Sequence, residues 1–131
     1  LDLALKLGAT GAYTPDEDSG DEFDIATEVV GAAPTLEKAV KSVRKGGRVG
    51  LVGNVVAEVP LALQWVMTRE ISLLGSCAAA GETKEALEAI ASGEIKVKPL
   101  ISAVAPLDEG GDYFQRSRDG KEGLLKVLLK P

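Results

Sequence analysis

Short apolar runs recur along the chain and predict β-strands. Each run has three to seven residues and is followed by glycine, proline or other turn-forming residues, as expected of strands in a folded core. The clearest is "DIATEVV", which ends at Gly31. The predicted strands cover residues 12–14, 24–30, 48–52, 71–75, 101–104 and 124–129.

The segments between these runs have apolar residues three or four positions apart, which predicts helices. The best example follows Pro34, with Leu36, Ala39, Val40 and Val43 on one face. The predicted helices cover residues 1–7, 34–45, 60–68, 83–92 and 107–118, with Pro60 opening the third, Thr83 capping the fourth and Gly93 ending it. Gly110 and Gly111 each cost a helix about 1 kcal/mol relative to alanine, so we expect the last one to start late or to be irregular.

This alternation of strands and helices indicates the fold class. Strands joined by helices of about ten residues form βαβ units with a parallel sheet. We therefore predict an α/β protein, partly Rossmann-like, with three αβα layers and a mostly parallel sheet. An acidic stretch at residues 15–24 is interpreted as an exposed connector.

Composition excludes several functions. The 131 residues carry a net charge of −5 and 4% aromatics, with Lys and Arg scattered, which argues against nucleic-acid binding. No apolar run approaches the roughly 18 residues of a membrane span, and the start does not resemble a signal peptide. The sequence has no histidine and one cysteine, Cys77. It therefore contains neither a Cys/His zinc site nor a Ser–His–Asp or Cys–His arrangement, and the lone thiol fits a reducing cytoplasm.

The stretch "VRKGGRVGLVGN" at residues 43–54 is rich in glycine but does not form a phosphate-binding motif. No G-x-G occurs in the chain, and Gln115 stands where a P-loop ending at Gly120–Lys121 needs glycine. Gly46 and Gly47 precede a strand, so we interpret them as a helix end and turn. Gly53 follows a strand, where it either faces a ligand or simply turns the chain.

Three consecutive predicted strands end in small or polar residues, in "EVVGA", "LVGN" and "LLGSCA". Parallel strands align these ends at one edge of a sheet, so together they indicate a crevice lined by backbone that a flat ligand could approach closely. Glu28 lies beside it, either as an acid bonded to nearby backbone or as a group at the crevice mouth. Cys77 has no base near it in sequence, which disfavours a reactive thiol.

Along essentially its whole length the chain resembles the medium-chain, zinc-type alcohol and polyol dehydrogenases. The resemblance rests on ordered segments that include "FDIATEVVGAAPTLEKAV", "VRKGGRVGLVGN" and "TREISLLGSCAAAGE". The last of these is most similar to the sorbitol or iditol dehydrogenase branch. In that family a zinc-polarised alcohol gives hydride to nicotinamide.

The resemblance implies a set of cofactor-binding residues beside the nicotinamide half of NAD or NADP. It implies no catalytic residue and no metal ligand in this chain, and Ala78 stands about where polyol dehydrogenases often have an arginine that reaches the cofactor phosphate. The implied residues are Val29, Val30, Gly31, Val52, Gly53, Asn54, Ser76 and Cys77.

The resemblance covers the carboxyl-terminal part of the family. Residues 1–76 correspond to a Rossmann domain without its first two strands, and residues 77–131 to a segment that returns to the zinc-bearing catalytic domain. We therefore expect the isolated chain to be inert, with zinc only in the complete enzyme. The alternative is a non-enzymatic Rossmann-like module that oligomerises or binds a ligand. In either case we expect a homo-oligomer through residues 71–76, the edge strand at 24–30, or both.

Overall fold

The computed structural model describes residues 1–17, 20, 22–120 and 122–131, and positions 18, 19 and 21 of the predicted acidic connector lie outside them. They form two compact units, a central unit (Tyr13–Ala79) and a terminal unit (Leu1–Ala12 with Ala80–Pro131). The helices are α1 (Asp2–Lys6), α2 (Ala33–Ser42), α3 (Leu63–Thr68), α4 (Thr83–Ser92) and α5 (Gly110–Asp119). The strands are β1 (Phe23–Glu28), β2 (Val43–Leu51), β3 (Ser72–Gly75), β4 (Ile101–Pro106) and β5 (Lys126–Lys130).

The central unit is built on a parallel sheet with the order β1-β2-β3. The register pairs Ala26 with Val49 and Val49 with Leu73, so these three side chains share one face. Because all three strands are parallel, their carboxyl ends lie at the same edge of the sheet.

One face of this sheet carries the core. Val40, Val43 and Val49 are fully buried, and Leu36 and Ile71 complete the cluster. Val66 of α3 packs against the same cluster, so α2 and α3 cover one face. The prediction of an α/β fold with a mostly parallel sheet is confirmed, and this unit supplies a helical layer and a sheet.

The opening of β2 corrects the prediction for Gly46 and Gly47, which do not end the preceding helix. Helix α2 stops at Ser42, and both glycines lie within β2. Phe23 pairs with Val43 whereas Ile25 pairs with Arg48, so β2 bulges between its two pairing points. Gly46 has φ +74°, and its N–H donates to the carbonyl of Arg69 at 2.8 Å. That bond ties the bulge to the carboxyl end of α3.

The terminal unit contains a second parallel pair, β4 with β5, connected through α5. Gly110 lies so close to Leu129 that a β-carbon at residue 110 would be 2.8 Å from the leucine Cδ1 atom. A short 3₁₀ turn at Leu107–Glu109 precedes α5. The predicted late start of that helix is therefore confirmed.

Several predicted boundaries are wrong. Residues 12–14 are described and form no strand, and the helix expected from Pro60 begins at Leu63. Thr83 is the first residue of α4, preceded by Glu82 at the N-cap, and makes no capping bond. The division of the chain after residue 76 concerns the domains of longer relatives and stays a prediction.

Candidate functional site: the carboxyl edge of the central sheet

The candidate site is the carboxyl edge of the central sheet, defined as the turns at residues 29–31, 52–54 and 76–77. Sequence reasoning selected these turns because each follows a predicted strand. All of them lie within the central unit. The structure therefore gives the geometry of the edge from one compact body.

The first turn follows β1 and is organised by Glu28, a buried carboxylate with 4% of its surface exposed. Its Oε1 atom accepts hydrogen bonds from the Val30 N–H at 2.9 Å and the Gly31 N–H at 2.8 Å. The hydroxyl of Thr35, in the first turn of α2, donates to the same oxygen at 2.7 Å. The carboxylate thus joins the strand end, the turn and the next helix.

These donors set the ionisation of Glu28. The Thr35 hydroxyl and the Gly31 N–H, followed by the Val30 N–H, stabilise the charged carboxylate and lower the pKa of Glu28, although burial opposes them. The group is therefore ionised at neutral pH. Of the two interpretations of Glu28 from the sequence, the one in which the acid bonds to nearby backbone is confirmed.

The first and second turns touch backbone to backbone. A β-carbon at Gly53 would lie 2.1 Å from the nitrogen of Gly31, and one at Gly31 would lie 2.4 Å from the nitrogen of Asn54. Gly31 also has φ +83°, a conformation that side-chain-bearing residues rarely adopt. The contact therefore requires glycine on both sides.

Main-chain hydrogen bonds connect the three turns in sequence. The N–H groups of Val52 and Gly53 donate to the Glu28 carbonyl at 2.9 and 3.0 Å. The Val56 N–H donates to the Gly31 carbonyl at 3.1 Å. At the third strand, the Ser76 N–H donates to the Leu51 carbonyl at 2.9 Å. The edge is thus a continuous backbone surface across all three strands.

The side chains at this edge are accessible, and its valines make much of the surface apolar. Val29, Val30 and Val52 are 66%, 44% and 52% exposed, and Asn54 and the free thiol of Cys77 are also exposed. Several N–H groups of the turns are already committed to protein acceptors, so an anion would have to compete with Glu28 for them. The surface suits a flat ring better than a phosphate.

The structure brings the predicted residues together as three adjoining turns, but it adds residues that sequence reasoning missed. Sequence reasoning does not identify Thr35. The signal that could have found it is a hydroxyl residue in the first turn of a helix, where the preceding strand ends in an acidic residue. Val56 was also missed, because its bond to Gly31 depends on the path of the loop after β2.

Metal chemistry is not assigned to this edge. Within the described ranges, no cluster of three or more His, Cys, Asp or Glu side chains could hold a metal ion.

In that same part of the chain, no helix combines the length and apolar character needed to cross a bilayer.

The family pattern described as zinc-binding dehydrogenase matches residues 1–92, which is most of the chain and includes the whole carboxyl edge. The chain belongs to the zinc-binding dehydrogenase family. The resemblance seen in the sequence is thereby confirmed, and the chain corresponds to a carboxyl-terminal portion of the alcohol and polyol dehydrogenases.

Individual members of the family agree with this assignment. Sorbitol dehydrogenase of Bacillus subtilis is 30% identical over 142 aligned positions, which cover 100% of this chain and 40% of that protein. D-xylulose reductase A of Aspergillus niger is 26% identical, covering 98% of this chain and 40% of its own length. The chain thus spans about 40% of these curated relatives.

Solved structures of dehydrogenases share the fold. Alcohol dehydrogenase TADH from Thermus sp. ATN1 superposes with a TM-score of 0.86 at 27% identity, covering 100% of this chain and 41% of that one. L-idonate 5-dehydrogenase from Escherichia coli gives a TM-score of 0.82 at 27% identity, with 98% and 39% covered.

Proposed function

We propose that the carboxyl edge forms one wall of the pocket for the nicotinamide half of NAD or NADP, in an enzyme that oxidises alcohols or polyols. The wall consists of two glycine-joined turns and the turn after β3. The proposed contact residues are Val29, Val30, Gly31, Val52, Gly53, Asn54, Ser76 and Cys77.

The backbone contact between Gly31 and Gly53 carries this proposal. It closes the gap between the two turns, so that exposed valines flank a continuous stretch of backbone that a planar ring can approach closely. A Sinorhizobium meliloti zinc-binding dehydrogenase solved with NADP bound has the same fold, with a TM-score of 0.86 at 26% identity, covering 99% of this chain and 42% of that one. The dinucleotide, when bound, supplies the hydride acceptor.

The proposal does not include zinc binding or proton transfer. The sequence has no histidine and one cysteine, so we assign no zinc ligand and no proton-relay group to it. We therefore propose that the chain contributes binding and orientation, and that the purified 131-residue protein oxidises no polyol, with or without added zinc.

Titration of the full chain with nicotinamide mononucleotide tests the binding proposal, followed by the amide signals in NMR spectra. We expect shifts confined to residues 29–31, 52–56 and 76–77, with weak affinity because one wall buries only part of the ligand. Adenosine monophosphate is the matched control, since it carries the same phosphate and ribose without the nicotinamide. Equal shifts with both nucleotides, or shifts elsewhere, would contradict the proposal.

We also propose that the chain self-associates, because both outer strands of the central sheet have an unpaired edge within the described residues. Ile25 on β1 is 62% exposed and Leu74 on β3 is 54% exposed. Exposed apolar edge strands pair with other chains unless something covers them. An oligomer that binds no nicotinamide would favour the non-enzymatic module.

A further inference from the structure

Both carboxylate oxygens of Glu28 are engaged inside the protein, so this residue does not face a ligand itself. Oε1 accepts from Val30, Gly31 and Thr35, and Oε2 accepts a second bond from the Gly31 N–H at 2.9 Å. The residue is 4% exposed. Its function must therefore be exerted through the groups that it holds.

The groups held by Glu28 are those that form the proposed wall. The Gly31 N–H binds the carboxylate, and the backbone of Gly31 is in contact with Gly53. A displacement of Gly31 would therefore move both turns. Thr35 also lies 2.9 Å from the Ala32 carbonyl, so its hydroxyl fixes the start of α2 relative to the carboxylate.

We propose that Glu28 is a positioning residue for the nicotinamide wall and that Thr35 holds its carboxylate in place. The pair keeps the turn at residues 29–31 against the turn at 52–54 before any ligand arrives. This inference rests on the proposed function for its ligand, but the pre-organisation of the two turns can be measured without one.

The decisive comparison is Thr35→Val against Thr35→Ser in the full chain. Valine keeps the branched shape but removes the hydroxyl donor, whereas serine keeps the donor. A hydrogen bond to a charged group is worth about a tenfold change in an equilibrium. We therefore expect hydrogen exchange at the amides of Gly31 and Gly53 to accelerate about tenfold in Thr35→Val and to change little in Thr35→Ser.

Amides of the β2–β3 ladder serve as an internal control, since Val49 and Leu73 pair away from the turns. Their exchange should be equal in both variants, which separates local loosening from general destabilisation. Glu28→Gln is a second variant, because it removes the charge while keeping one oxygen acceptor. Glu28→Gln should also accelerate hydrogen exchange at the amides of Gly31 and Gly53.

Nicotinamide mononucleotide affinity provides the second measurement. If the wild-type chain binds it, Thr35→Val should bind about tenfold more weakly than Thr35→Ser. If the wild-type chain does not bind, the proposed function fails, and the exchange ratio alone decides the positioning role. Equal exchange at Gly31 and Gly53 in the valine and serine variants overturns the inference, whatever the binding result.

Discussion

The α-carbon of Gly53 lies against the backbone of Gly31, and a β-carbon at Gly53 would come within 2.3 Å of two further backbone atoms of Val30. No side chain can be accommodated there without separating the turns that follow β1 and β2. These two residues are 22 positions apart in sequence, so their contact depends on the parallel pairing of the strands before them.

Gly53→Ala should therefore destabilise the protein strongly, by about 3 kcal/mol, because backbone cannot move aside as a flexible side chain can. Gly50→Ala is the matched control. A β-carbon at Gly50 would meet Thr27 at 3.9 Å, an ordinary contact, so the change should cost within about 1 kcal/mol. Urea unfolding of both variants measures the difference, and equal stabilities would show that the turns tolerate separation.

The stability contributed by Glu28 should depend on pH. Its hydrogen bonds lower the pKa of the folded carboxyl relative to an ordinary glutamate value of about 4.3. The unfolded chain therefore takes up the proton first as the pH falls. The contribution is fully present above about pH 5 and is lost as the pH falls through the folded pKa.

Unfolding free energies of the wild type and Glu28→Gln across that range test this expectation. The difference between the two proteins should be constant near neutral pH and shrink on acidification, since protonated glutamic acid loses the charge that glutamine already lacks. If the unfolding free energies of the two proteins stayed the same distance apart at every pH, the carboxylate charge would contribute nothing to folding.

Lys38 should hold the loop before β1 in place. Its ammonium group donates to three backbone carbonyls, those of Thr14 at 3.3 Å, Pro15 at 2.9 Å and Glu17 at 2.6 Å. Replacing Lys38 with Met removes all three bonds, and we expect faster protease cleavage within residues 13–17. Lys41→Met is the control, because among the residues that the structure describes Lys41 pairs only with Glu37, on the same exposed helix face. Similar cleavage rates in the two variants would contradict the role of Lys38 in holding this loop.

Self-association should depend on one or both of the outer strands of the central sheet. Ile25→Lys places a charge on β1 and Leu74→Lys places one on β3, and charges on edge strands oppose pairing. Sedimentation of the wild type should show a dimer or larger species, and the variant that becomes monomeric identifies the strand used. Leu87→Lys on α4 is a control at a similarly exposed leucine. A monomeric wild type would remove the proposal.

Much of the fold followed from local patterns. The apolar runs at 24–30 and 71–75 correspond to β1 and β3, and the spacing from Leu36 to Val40 corresponds to α2, whereas Val43 already begins β2. Strand ends also gave the location of the candidate site, because parallel strands align their carboxyl ends.

The features that sequence reasoning missed are those that depend on distant partners. The bulge at Gly46 depends on a bond to Arg69, and the Glu28–Thr35 pair depends on how α2 packs after its turn. The steric need for glycine at both 31 and 53 is invisible in either turn alone. Local propensity cannot encode contacts that exist only after the strands have paired.

Residue 28 connects the first two turns through two separate chemical groups. Its carboxylate binds the turn at 29–31, whereas its main-chain carbonyl accepts the N–H groups of Val52 and Gly53. Any amino acid at this position supplies the carbonyl, so half of the junction is independent of the side chain. A substitution here should therefore loosen the first turn and its contact with Gly53, while the main-chain carbonyl keeps β1 bonded to the chain after β2.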